Sequence, residues 1–224
     1  MDDWKRLLRL LWGLTLCGTG IYLEVRANIG LSPWDAFAMG ISLHTGMHFG
    51  DAVLWTGAVV LAIDVLLREK LGVGTILNAI LVGKIVDLLD WMDLVPQMQS
   101  LLTGTGLLLA GLVLICIGSY YYISAGWGCG PRDSLMVYLS RRFRRLPIGL
   151  ARFSVECTVL VVGWLLGAQV GLGTVLFMFG ISFMLQLVFS LYRFDPKTVV
   201  HEDAAAALCR WFRREKSHPC EKNG

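Results

Sequence analysis

The sequence predicts an all-α membrane protein of six transmembrane helices and two short re-entrant helices, arranged as an internal repeat of inverted topology. Three observations lead there. Apolar residues are 55% of the chain against 17% charged, with a mean hydropathy of +0.62. They gather into runs long enough to cross a bilayer, which takes roughly 17–25 residues each. A six-residue motif is written twice, as Gly30–Asp35 (Gly-Leu-Ser-Pro-Trp-Asp) and Gly128–Asp133 (Gly-Cys-Gly-Pro-Arg-Asp). Lys and Arg cluster at alternate boundaries between the apolar runs, as the positive-inside rule expects.

Taken in order, residues 1–9 are a basic cytoplasmic N-terminus holding Lys5, Arg6 and Arg9. The first repeat unit, residues 10–95, opens with a span over about 10–26 and a Gly-containing loop at 27–32. A brief helix follows from Pro33 to about Thr45, then a span over about 50–67 that stops at Arg68-Glu-Lys70. A further span, roughly 74–95, ends in an acidic stretch with Asp87, Asp90 and Asp93. Residues 96–105 are a linker without Lys or Arg, expected outside.

The second unit, residues 106–193, repeats the plan: a span over 106–125, a short helix from Pro131, and spans over 147–166 and 174–192. The short helix is cut off at Arg141-Arg-Phe-Arg-Arg145, about ten residues on, half of what a span needs. Residues 194–224 form a charged cytoplasmic tail, in which 202–215 suits a surface helix with Trp211 and Phe212 on one side. With both short helices re-entrant, the termini, Arg68–Lys70 and Arg141–Arg145 all fall inside and the bare linker outside. Eight full spans reverse that pattern for Arg68, Lys70 and the linker.

The repeat runs beyond the motif. Gly13, Leu14, Leu16, Gly20, Tyr22 and Ala27 recur 98 residues later as Gly111, Leu112, Leu114, Gly118, Tyr120 and Ala125. The offset drifts to 99 at Gly72-Val-Gly-Thr75 and Gly171-Leu-Gly-Thr174. Three spans per unit reverse the chain, so the second unit enters upside down, the plan of transporters whose broken helices meet near the midplane. Gly13, Gly18, Gly20, Gly111 and Gly118 then read as small-residue packing faces between spans.

Each motif also reads as a helix start. Glycine allows the sharp turn, Ser32 is a good N-cap, Pro33 fits the first helical position, and Asp35 suits the positive end of the dipole. Two such N-termini aimed at one central site suit an anion or exclude cations from a pore; alternatively both motifs are tight turns with Asp35 and Asp133 as structural caps. The candidate solute-binding residues are Ser32, Pro33 and Asp35 of the first motif and Gly130, Pro131, Arg132 and Asp133 of the second. Arg152 and Glu156 join them, four apart on one face of an apolar span. Ionisable groups there are expensive, at least ~2.5 kcal/mol each on insertion scales, so they face a cavity or pair with one another. Arg132 is the expected substrate-facing cation and Arg152–Glu156 its support or gate, with Asp133 a candidate partner for Arg132.

Other polar positions are given plainer readings. Lys84 and Asp87 are spaced to pair, Asp64 is read as interfacial, and Thr75 and Thr174 as bonding backbone. His44 and His48 are four apart in an external loop with no third ligand, and Cys129 in the second motif has Leu31 at its place in the first. Cys17, Cys116 and Cys157 lie in apolar segments and Cys209 and Cys220 in the tail, so reduced thiols are expected. No signal peptide is read at the first run, no cofactor or metal site is expected, and the net charge of +3 points to membrane boundaries rather than nucleic acid.

Gly-Leu-Ser-Pro-Trp-Asp, Gly-Cys-Gly-Pro-Arg-Asp-Ser-Leu-Met, Ile148-Gly149 with Arg152 and Glu156, and Gly171-Leu-Gly-Thr174 together resemble the YczE/YyaS/YitT family of bacterial membrane proteins. The resemblance covers about residues 10–192 and implies a small multi-pass protein of the bacterial cytoplasmic (inner) membrane; it implies no substrate. The functional expectation is a channel or secondary transporter for a small polar or anionic solute, with the bilayer as its setting and homo-oligomers open. The alternative is a non-transporting subunit that docks a partner on its basic cytoplasmic surface. A membrane enzyme ranks third, because no catalytic constellation is found.

Overall fold

A computed structural model describes residues 3–67, 72–128, 130, 132 and 148–193. Arg68–Lys70, Cys129, Pro131, Asp133, Arg141–Arg145 and the tail lie outside the described residues, as does the side chain of Arg152. The described residues form seven helices and no strand: α1 (Asp3–Ala27), α2 (Pro33–Thr45), α3 (Phe49–Leu66), α4 (Val73–Met92), α5 (Leu101–Ser124), α6 (Ile148–Leu165) and α7 (Leu172–Leu191). The helical boundaries track the expected ones closely, except that α1 begins within the basic N-terminus and α5 within the linker.

Among these, α3, α5 and α7 are long and apolar enough to cross a membrane, and Phe153–Leu165 of α6 is a shorter apolar helix. Helices α1 and α4 have the length but carry charge: Lys5, Arg6, Arg9, Glu24 and Arg26 on one, Lys84, Asp87 and Asp90 on the other. Much apolar surface faces outward, including Trp12, Trp55, Leu102, Phe179 and Phe183. A soluble monomer does not expose so many large apolar side chains together, whereas a lipid-facing one does.

α1 packs most extensively on α5, and the approach is set by glycines. A Cβ placed on Gly13 lies 2.7 Å from the carbonyl oxygen of Gly118, and one on Gly118 lies 2.6 Å from that of Gly13. The pair Gly20 and Gly111 repeats this at 2.6 and 2.7 Å. Under the 98-residue offset, Gly13 maps to Gly111 and Gly20 to Gly118, so the two contacts are one contact made twice with partners exchanged.

The loops behave the same way. Gly74 donates its backbone N–H to the Trp127 carbonyl at 2.7 Å, and Gly173 donates to the Ile29 carbonyl at 2.8 Å. Next to those carbonyls, Gly30 and Gly128 take φ of 125° and 124°, a left-handed region that favours glycine. Each unit's loop therefore caps the last helix of the other. Thr174 supports this by accepting the Gly171 N–H at 3.3 Å, a backbone bond as expected; Thr75 and Thr174 are both buried.

The charged side chains of α3 and α4 have defined places. Asp64 is fully buried within the protein (0% exposed). Lys84 pairs with Asp87 at 4.0 Å, as their spacing suggested, and more closely with Asp51 on α3. Asp87 also accepts the Gly50 N–H at 2.7 Å, so the charges on α4 clamp the start of α3. Arg26 similarly holds Asp90 and Asp93, both at 2.8 Å, joining the end of α1 to that of α4.

Candidate functional site

The first motif folds as its residues dictate. Ser32 is the N-cap of α2, Pro33 opens the helix, and the Ser32 hydroxyl accepts the Asp35 N–H at 3.3 Å. That hydroxyl in turn donates to Asp35 Oδ2. The Ser32 N–H donates to Oε1 of Glu24, a residue of α1 that sequence reasoning missed. Ser32 thus bridges two carboxylates, and Glu24, Ser32 and Asp35 are 1%, 4% and 2% exposed. The positive end of α2 is compensated by the chain's own acids rather than left open.

Arg132 comes in from the second motif. Its guanidinium Nη2 lies 3.6 Å from Asp35 Oδ1, and its Cζ is 5.1 Å from the centroid of the Trp34 ring. Among the described residues, Arg132 pairs with Asp35 of the other motif. Trp34, to which the sequence assigned no role, supplies a π-face for the cation. Asp35 Oδ1 and Glu24 Oε2 are buried without a hydrogen-bond partner among the described residues.

These groups border a cavity of about 170 Å³. Ser32, Pro33 and Asp35 line it from one side, and Gly130, Arg132 and Glu156 line it as well. Cys17, Asn78, Ser119 and Tyr122 add polar atoms, while Ile21, Val53, Val82, Phe177 and Ile181 form apolar wall. The volume is far above the roughly 10–15 Å³ that admits one water and below the ~300 Å³ where drug-sized pockets begin. Of the candidate solute-binding residues, six meet here. Pro131 and Asp133, and the side chain of Arg152, lie outside the described residues.

Glu24 is hard to find from sequence because the repeat gives no signal for it: its mate 98 residues on is Tyr122. A lone Glu inside an apolar run is nonetheless an intramembrane ionisable group, and that signal was present. Elsewhere, His44 Nδ1 lies 3.2 Å from the Gly40 carbonyl, and no group of three metal-ligating side chains occurs among the described residues.

Comparison with known proteins gives the family. A family described as a family of unknown function, DUF6198, matches residues 4–190. An uncharacterized protein of Haemophilus influenzae is 32% identical over 189 residues, covering 84% of this chain and 85% of its own. The uncharacterized membrane protein YczE of Bacillus subtilis is 32% identical over 169 residues, 73% of this chain and 76% of its own. The uncharacterized protein YyaS of the same organism is 27% identical over 168 residues, 73% and 82%. No solved structure matches.

Proposed function

Because the chain belongs to the family of unknown function DUF6198, whose relative YczE is a membrane protein, we propose from its cavity that it is a secondary transporter or channel for a small polar or anionic solute. The observation that carries the reading is the meeting of the two motifs: Asp35 of one and Arg132 of the other border the same cavity, 3.6 Å apart. A buried space with a cation, a carboxylate and amide and hydroxyl groups offers a small solute both charge signs at short range. Its α2 end is already satisfied by Glu24 and Asp35, which leaves Arg132 as the group that receives the solute's anionic part.

The architecture that goes with this reading is six spans, α1, α3, α4, α5, α6 and α7, with α2 and its counterpart from Pro131 re-entrant. The units are inverted relative to one another in the bacterial cytoplasmic membrane, with both termini inside. The exchanged glycine contacts and reciprocal loop caps support it, since a twofold axis produces paired contacts of that kind. Arg152 and Glu156 would stand beside the site as its support or gate.

The test begins with thermal-shift measurements of the purified protein against small anions, amino acids and other small polar solutes. Solutes that stabilise it are then radiolabelled and offered to proteoliposomes. The reading expects stabilisation by at least one of them, uptake above empty vesicles, and loss of both in Arg132→Gln. Stabilisation that survives Arg132→Gln, or binding without uptake, counts against it.

A further inference from the structure

Two buried carboxylates share one serine, and one of them pairs with a guanidinium. Full ionisation leaves Glu24 and Asp35 with one negative charge that Arg132 does not offset, and burying an uncompensated charge is costly. Of the four carboxylate oxygens, Glu24 Oε1 is held by the Ser32 N–H and Asp35 Oδ2 by the Ser32 hydroxyl. Glu24 Oε2 is buried with no hydrogen-bond partner among the described residues, on a side chain 1% exposed. Asp35 and Arg132 are the charges that act on Glu24.

We propose that Glu24 and Asp35 form a proton-binding pair, with the proton on Glu24 Oε2, whose affinity is set by whether Arg132 stays on Asp35. Protonation forms one O–H bond with a proton from water and breaks no other covalent bond. Withdrawing the guanidinium strips Asp35 of its counter-charge, and the pair then holds its proton more tightly, as paired carboxylates do. This rests on the transport reading for one step: a solute anion that draws Arg132 away would raise proton affinity, and by linkage the proton would raise solute affinity. Solute and proton would then travel together.

Among the described residues, the groups that bear on Glu24 are few. Asp35 shares Ser32 with it, and Arg132 acts on it through its charge. Glu156 of α6, Tyr122 of α5 and Cys17 of α1 itself line the adjoining cavity. Tyr22, two residues before Glu24, exchanges hydrogen bonds with Val95. Helix α4 brings Asp90 to α1, where Arg26 takes it, and α7 carries no titratable side chain.

The test is an infrared pH titration of the purified full chain, reading the protonated-carboxyl C=O band. Glu24→Gln should delete a band present in wild type. Arg132→Gln should move its midpoint up by about 1–3 pH units, the usual effect of removing a nearby opposite charge. Asp35→Asn should move it down. The two midpoint shifts keep the proposal open to refutation even where Glu24→Gln fails to fold. A wild-type band untouched by Glu24→Gln, or midpoints that ignore both Arg132 and Asp35, overturns it. The titration needs no solute, so it stands apart from transport: absent uptake with the expected titration removes the transport reading and leaves the proton site. Uptake with a titration blind to Glu24 does the reverse.

Discussion

The Arg132 guanidinium lies 5.1 Å over the ring of Trp34, the residue at its own position in the other copy of the motif, 98 residues earlier. Residues related by a twofold axis can touch only where they lie beside that axis. Cys17 and Ile115 are also 98 residues apart, and the Cys17 thiol donates to the Ile115 carbonyl at 3.7 Å. Both pairs border the cavity. If the two units are exchanged by such an axis, as proposed above, the cavity lies on it, where inverted-repeat transporters hold their sites.

The glycine seam between α1 and α5 should be intolerant of a single methyl group. A Cβ on Gly20 lies 2.6 Å from the Gly111 carbonyl oxygen, whereas one on Gly106, in the same α5, meets nothing within 4 Å. Gly20→Ala should cost about 1–3 kcal/mol by overpacking. Gly106→Ala should be neutral or stabilise by up to about 1 kcal/mol through helix propensity. Denaturation in detergent measures both, and equal effects would mean that the seam is not held by close contact.

Ser32 should matter as a cap and Ser100 should not. Ser32 caps the Asp35 N–H and binds its carboxylate, while Ser100 at the start of α5 makes no side-chain capping bond. Ser32→Ala should cost about 1–2 kcal/mol, against a few tenths for Ser100→Ala. A loss of the same size at both positions would detach α2 from its cap.

The parts of this fold that could be read from sequence were those with a repeated or local cause. Pro33 and Ser32 start α2 by local rules, and the Gly-x-Gly-Thr copies mark the two loop docks. Pairings across the structure were hidden for physical reasons. Asp51 takes Lys84 from a different helix, and no spacing rule links residues on separate spans. Arg132 pairs with Asp35 of the opposite motif, to which no spacing rule links it. Glu24 and Trp34 escaped because Tyr122 and Arg132 stand at their repeated positions, so comparing the copies marks differences there and no shared motif.

Orientation can be measured directly. In a cysteine-free background, single cysteines at Glu69 and Gln99 should differ in labelling by an impermeant reagent on whole cells, with Gln99 labelled and Glu69 protected. Arg26 and the Met98 N–H tie the 93–100 segment to the end of α1, so both belong to one face. Labelling of Glu69 from outside would remove the six-span arrangement.

The relation between the units makes a sharper demand on Trp34 and Arg132. If an axis maps each motif on the other, it carries Arg132 to position 34 and Asp35 to position 133. An arginine at 34 would then meet Asp133 as Arg132 now meets Asp35, and a tryptophan at 132 would offer it the π-face. Trp34→Arg alone places two guanidinium groups together at the axis, and like charges in a buried space repel strongly. Arg132→Trp alone leaves Asp35 buried without its cation, a change that costs about 3–5 kcal/mol where pairs are fully desolvated. The pair is 29% exposed on the Arg132 side, so the lower end applies. The double exchange restores one cation, one ring and one carboxylate partner, and should recover more than half of the summed loss in thermal stability. Contacting residues that substitute for each other in this way show strong non-additivity. A double variant as unstable as the two single losses combined would mean that the motifs meet without being equivalent, and the inverted-repeat reading would fail at its centre.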